Sequence, residues 1–118
     1  MGDLSKHFNR HEFTCQCGCG FDTVDAGLIE VLEDIRQHWN AAVTINSSAR
    51  CLTHNRAIGS TDSSQHTKGR AADIVVRGVA PIHVYEYLDQ THSGALGLGS
   101  YKDFTHIDTR NSKARWSA

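Results

Sequence analysis

No apolar run in the sequence approaches the roughly 20 residues that span a bilayer, and the opening MGDLSKHFNRHEF has no apolar stretch of the kind that marks a secretory signal. Membrane insertion is therefore not expected, and synthesis in the cytoplasm is. Neither sign of charge is in surplus: 12 Lys and Arg stand against 13 Asp and Glu. Without a broad basic field there is nothing to grip a phosphate backbone, so nucleic acid is excluded as the expected partner. One Pro and ten Gly are too few for a low-complexity or disordered chain. At 118 residues the chain is long enough for one compact domain and too short for two, so residues 1–118 are expected to form one domain with one core and one site.

What is plentiful is histidine. Eight His in so short a chain point toward acid/base or metal chemistry, the two uses of a neutral imidazole. The four cysteines are Cys15, Cys17 and Cys19, at alternate positions, and Cys51, far from them. Three thiols so close in sequence do not readily pair with one another, because a disulfide needs specific Cα separations. A single disulfide to Cys51, a zinc site built from all four thiolates, and reduced thiols all remain open.

Residues 1–24 read as an irregular, Cys- and Gly-rich segment, with Phe8, Phe13 and Phe21 available to pin it to the body. From Asp25 the pattern changes: Leu28, Leu32, Ile35 and Trp39 recur at helical spacing and share one face. AVTIN (Ala42 to Asn46) is short and β-branched, which predicts a strand. Residues 52 to 70 are polar and lack periodicity, which predicts a functional loop. AADIVV (Ala71 to Val76) predicts a strand buried on both faces. Pro81 suits the first turn of a second helix over PIHVYEYLDQTH, and after GALGLGS the alternating FTHIDT (Phe104 to Thr109) predicts another strand. The expected fold is α+β, a small domain with a central antiparallel sheet and helices on one side.

SQHTKGRAAD (Ser64 to Asp73) carries a His and an Asp seven residues apart, with the Asp at the head of the apolar strand. A carboxylate there must be paired or metal-bound, since leaving it buried and alone costs several kcal/mol. His66 is the nearest candidate partner. His106 sits in the last strand on the same face as Phe104 and Asp108, and converges on Asp73 if the two strands are neighbours. Two His and one Asp suit zinc, and three protein ligands leave a fourth position for water, which is the pattern of a catalytic site.

Ser64, His66, Gly69, Ala71 and Asp73 match S-x-H-x-x-G-x-A-x-D and resemble the motif of the zinc D-Ala-D-Ala carboxypeptidase family, whose wider group includes L-Ala-D-Glu endopeptidases and the hedgehog signalling domain. TINSSAR with CLTHNRAIGS resembles that family's strand and Arg-bearing loop, and FTHID its last ligand strand. The resemblance implies a zinc peptidase domain with the metal at the sheet edge, held by His66, Asp73 and His106. It implies hydrolysis of peptide bonds in the stem peptides of peptidoglycan through a zinc-activated water, either as carboxypeptidase or as endopeptidase. Asp103, three residues before His106, takes the place of the family's general base, and Arg50 that of the Arg that contacts substrate and developing oxyanion. Asp108 could orient a ligand from behind. Ser64, Gln65 and Tyr101 are candidate substrate-binding residues. His92 and His54 are rival bases. Ala49 departs from the larger step that relatives carry before the Arg. A monomer acting on cell wall is expected, and the chain's brevity fits a phage or prophage endolysin.

The competing reading is a zinc-containing binding or phage structural module without catalysis. A zinc-ribbon protein is disfavoured because the Cys pairs are C-x-C and not C-x2-C. A thiol enzyme is disfavoured because no C-x-x-C opens a helix.

Overall fold

The computed structural model describes residues 4–16, 19, 24–60, 64–92, 94–110 and 112–117. Phe21 and Cys17 lie outside the described residues. Helix α1 (Ala26–Trp39) begins after Asp25, whose extended backbone breaks the preceding chain, and ends at Asn40, which takes the left-handed conformation at φ 47°. Its helical spacing buries Leu28, Val31, Leu32 and Ile35, each contributing about 2 kcal/mol by removal from water. Arg36 and His38 occupy its last turn, where the helix dipole favours positive charge. Helix α3 (Pro81–Thr91) has Pro in its first turn and buries Val84 and Leu88. Tyr87 of α3 stacks on His38 at 3.9 Å between ring centres and donates a hydrogen bond to Asp34 at 2.9 Å, which fastens α3 alongside α1.

The sheet contains β1 (Val43–Ser47), β2 (Ala71–Val76), β3 (Gly97–Ser100), β4 (Thr105–Asp108) and β5 (Ala114–Ser117), in the order β1-β2-β4-β3-β5. The first three pairings along that order are antiparallel, as expected, but β5 joins β3 in parallel, so the sheet is mixed. Nothing in ARWS alternates strongly enough to announce a strand. Arg115 holds it in place through Asp89 at 2.8 Å and through the carbonyls of His92, Ala95 and Leu96.

Side-chain alternation then assigns the two faces. Ala72, Ile74 and Val76 of β2, Leu98 of β3 and Ile107 of β4 join the helices in the core. Asp73, His106 and Asp108 point to the other face, together with Gly97 and Gly99. Strand β2 is thus buried mainly on its helix side: Asp73 and Val75, on the opposite side, are half-buried.

Within the polar stretch 52–70, residues 52–60 and 64–70 are more ordered than their lack of periodicity suggests. It holds the short helix α2 (Leu52–Ala57) and a single 3-10 turn at Gln65–Lys68. Helix α2 buries one residue, Asn55, and so has no apolar face to be read from sequence. The N-terminal segment likewise contains a 3-10 turn at Arg10–Phe13, capped where Glu12 accepts from the Asn9 backbone N–H at 2.6 Å. Phe8 and Phe13 are buried in the core as anticipated, and the Ala49 N–H donates to the Phe13 carbonyl at 3.0 Å. That bond clips the N-terminal segment to the loop after β1.

Candidate metal centre

Register brings the central residues together. Asp73 of β2 pairs with His106 of β4, and a shift in the β1–β2 pairing between Ile45 and Ser47 places Ser47 opposite Asp73, where the chain turns out toward Ser48 and Arg50. The 3-10 turn begins at Ser64, whose hydroxyl accepts from the His66 N–H at 3.3 Å, and ends at Gly69 with φ 68°, a left-handed step that suits glycine. Between them His66 is delivered to the sheet, 3% exposed. One ligating atom from each of His66, Asp73 and His106 lies within 4.8 Å of the others.

The hydrogen bonds around this trio decide which atoms face inward. His66 Nδ1 lies 2.7 Å from the Ser48 carbonyl, which can only accept, so Nδ1 carries the proton of the neutral ring. Nε2 is then a bare lone pair. It is buried, makes no hydrogen bond among the described residues, and lies 3.5 Å from Asp73 Oδ2. Two lone pairs facing each other in a buried site repel unless a cation sits between them. His106 has the same character: Nε2 lies 2.8 Å from Asp108 Oδ2 and Nδ1 lies 2.9 Å from Asp73 Oδ1, a carboxylate on each side. Burial alone would lower the His106 pKa, but the hydrogen bonds and charges of Asp108 and Asp73 outweigh it and raise it. Burial likewise works to raise the Asp73 pKa, yet the neighbouring imidazoles, His106 at 2.9 Å foremost, hold it at about 2. Without a metal the site requires a proton to hold its negative charge; two imidazole nitrogens and one carboxylate oxygen are also a donor set that fits zinc.

Asp108 is fully buried and accepts from Arg110 Nε and Nη2, both at 2.7 Å, while it holds His106. Burial opposes its ionisation, but the Arg110 and His106 hydrogen bonds keep its pKa well below the usual carboxylate range. A carboxylate that grips the outer nitrogen of a ligating imidazole fixes the ring's tautomer and orientation.

A cleft of about 200 Å3 opens over the trio. Arg50, Ser64 and Tyr101, three of the residues singled out in the sequence, line it. Arg50 is 8% exposed; its Nη1 donates to Asn55 Oδ1 at 3.3 Å, and its buried Nε has no hydrogen bond among the described residues. Burial depresses the Arg50 pKa, against the charges of Asp73 and Cys15.

Two expected residues are not brought to the cleft wall. Asp103 is exposed in the turn between β3 and β4, flanked by the cleft residues Tyr101 and Phe104. Gln65, between the lining residues Ser64 and His66, has a buried Oε1 that makes no hydrogen bond among the described residues. His54 and His92 do not line the cleft either.

Three lining residues were not foreseen: Ser60, Phe104 and Trp116. Trp116 Nε1 donates to the Tyr101 hydroxyl at 2.9 Å, and its ring centre lies 5.1 Å from that of His106. Only the parallel pairing of β5 with β3, opposite Gly99, brings it there. A larger cavity of about 670 Å3 runs along α1 beside Glu30, Glu33 and Asp34. It lacks convergent ligand atoms among the described residues, and Glu33 is already engaged by Ser5 and His7.

No helix among the described residues is long and apolar enough to cross a membrane. A search of curated proteins finds no match. A family model described as Peptidase M15 matches residues 6–108, which takes in Arg50, the whole His66–Asp73–His106 trio and Asp108. With that span covered and a zinc-compatible donor set at its centre, the chain belongs to the peptidase M15 family and is a zinc-dependent metallopeptidase.

Proposed function

We propose that the enzyme cleaves peptide bonds in the stem peptides of peptidoglycan, as a D-Ala-D-Ala carboxypeptidase or an endopeptidase, with His66, Asp73 and His106 holding the zinc. The observation that carries the metal assignment is the buried Nε2 of His66, without a hydrogen bond among the described residues, facing Asp73 Oδ2 across 3.5 Å. Bound zinc supplies there a water of lowered pKa and a Lewis acid for the scissile carbonyl.

The remaining roles belong to the chain's own groups. Arg50, buried at the cleft and with an uncommitted Nε, suits a substrate carbonyl or carboxylate oxygen and the negative charge that builds on it during attack. Asp103 takes the proton from the attacking water and returns it to the leaving amine. Its place in the turn carrying Tyr101 and Phe104 supports this, because a small movement of that turn on substrate binding changes the reach of Asp103 to the cleft. Ser64 and Tyr101 offer hydroxyls to the peptide backbone, and Gln65, next to Ser64 in the chain, is a further donor. A short peptide strand suits a cleft of about 200 Å3 better than a folded protein does.

The test combines elemental analysis with release of soluble peptides from purified peptidoglycan. The expected result is peptide release by the wild type, its abolition by a chelator, and loss of one zinc with activity in His106→Ala. Asp103→Ala is expected to retain zinc and lose at least a hundredfold in kcat. Zinc retention with no peptide release from any peptidoglycan preparation would sink the substrate assignment and favour a binding module. Full activity in Asp103→Ala would move the base elsewhere.

A further inference from the structure

We propose a second metal site, built by the sulfurs of Cys15, Cys19 and Cys51, that takes zinc in a structural role. It stands apart from the peptidase centre and does not depend on which substrate that centre cleaves. Three cysteines from two distant stretches of chain bring one sulfur each within 4.8 Å of one another. Cys15 and Cys51, separated by 36 positions, have their sulfurs 3.9 Å apart. That separation is nearly twice the roughly 2.05 Å of a disulfide. It is close to the S···S edge of a tetrahedron whose centre lies about 2.3 Å from each thiolate, which is about 3.8 Å. The sulfurs are thus spaced for a shared ion, and Cys15 and Cys51 stand too far apart for a disulfide.

The polypeptide around them supplies what coordinated thiolates require. The Cys51 N–H points to Cys15 Sγ at 3.4 Å, and the His54 N–H points to Cys51 Sγ at 3.4 Å, so backbone donors support charge on both sulfurs. The Arg50 guanidinium adds a positive charge that interacts with Cys15. Burial differs among the three: Cys15 is 2% exposed and Cys51 half-buried, while Cys19 is exposed. None of the three lines the peptidase cleft. Zinc is preferred over a hard cation because every donor is sulfur.

The position of this cluster explains what such an ion does. Cys15 follows the Phe13 carbonyl that accepts from Ala49, and Cys51 follows Arg50. An ion shared by the two stretches staples the N-terminal segment to the loop that carries Arg50 into the cleft. Phe8, Phe13 and the Glu33 contacts anchor the segment ahead of Cys15, and an ion at the sulfurs would add a tie at its other end, since metal ligation converts binding energy directly into folding energy.

The experiment uses the full chain purified under reducing conditions. Elemental analysis is expected to give two zinc ions per wild-type chain, one per chain in Cys51→Ser, and one in His106→Ala. Because a Cys variant can fail to fold, the wild type is also treated with an organomercurial thiol reagent while a chromophoric chelator reports released zinc. One zinc per chain is expected to be freed in step with thiol modification. In the cobalt-substituted wild type, a thiolate-to-cobalt charge-transfer absorption is expected that His106→Ala retains and Cys51→Ser loses. A single zinc per chain that disappears in His106→Ala, no zinc release by the mercurial, or a Cys15–Cys51 linked peptide found by mass spectrometry would each overturn the proposal. Loss of peptidoglycan hydrolysis alone bears on the other site and leaves this one standing.

Discussion

His106 and Asp108 stand two residues apart on one face of β4, with Nε2 of the ring 2.8 Å from a carboxylate oxygen of the aspartate. Strand alternation makes this contact automatic, and it turns Nδ1 toward Asp73. If Asp108 acts by holding the ligand, Asp108→Asn should weaken zinc binding about 10- to 100-fold. Activity at low zinc should fall accordingly and recover when zinc is added. Zinc titration of the chelated protein measures this directly. The substitution also leaves Arg110 without its buried partner, so thermal stability of the metal-free protein should drop by about 3 kcal/mol. Unchanged zinc affinity with reduced stability would assign Asp108 to the Arg110 pair alone.

Gly99 lies opposite both His106 and Trp116 in the sheet. A Cβ there would come within 2.5 Å of Trp116 Nε1 and 2.9 Å of Tyr101 Cε1, ring atoms that cannot swing away without leaving the cleft wall. Gly99→Ala should therefore cost about 1–3 kcal/mol of stability and raise KM, while Gly94→Ala, with nothing within 4 Å, should change KM little. Chemical denaturation and steady-state kinetics on the pair provide the comparison. Equal KM effects in both would remove the steric explanation.

Much of this site was legible before the fold was known because its elements obey simple periods. The helical spacing of Leu28, Leu32 and Ile35 marked α1, the apolar run after Asp73 marked β2, and alternation around His106 placed Asp108 on the ligand face. Neighbouring strands then had only one way to bring Asp73 to His106. The parts that escaped have no period to read. Helix α2 is six residues long and buries only Asn55, and β5 is three half-exposed residues and one exposed, ordered by Arg115 reaching back to the carbonyls before β3. Trp116 could have been suspected as a large aromatic near the chain's end, but its entry into the cleft depends on a non-local parallel pairing.

Trp116 and Tyr101 form one wall through the Nε1–hydroxyl bond at 2.9 Å, and Tyr101 also stacks on Phe104 with 4.4 Å between ring centres. If the wall orients substrate, Trp116→Phe removes one hydrogen bond while keeping an aromatic ring. Loss of about 1 kcal/mol corresponds to roughly a fivefold fall in kcat/KM, with zinc content unchanged. Tyr101→Phe should resemble it, and the double variant should be no worse than either single one, because both remove the same bond. Additive losses in that cycle would mean that each residue contacts substrate separately.

Glu33 of α1 ties down the N-terminal segment: it accepts from the Ser5 hydroxyl, from the His7 N–H at 2.8 Å and from the His7 ring at 2.6 Å. Burial pushes its pKa upward, but the hydrogen bonds from Ser5 and His7 prevail and lower it below the ordinary value of 4.5. A carboxyl whose folded pKa lies below its unfolded one binds fewer protons when folded, so stability rises with pH across that interval. The contribution of Glu33 is complete above pH 4.5 and is lost as pH falls through the lowered folded value. Glu33→Gln should accordingly be less stable than wild type by about 2 kcal/mol at pH 7. The gap should narrow below pH 4.5, since the protonated wild type has lost what the variant never had. Thermal unfolding of both proteins between pH 3 and 7 measures the gap, and a difference that stays constant across this range would show that the segment is held by the packing of Phe8 and Phe13 instead of by this carboxylate.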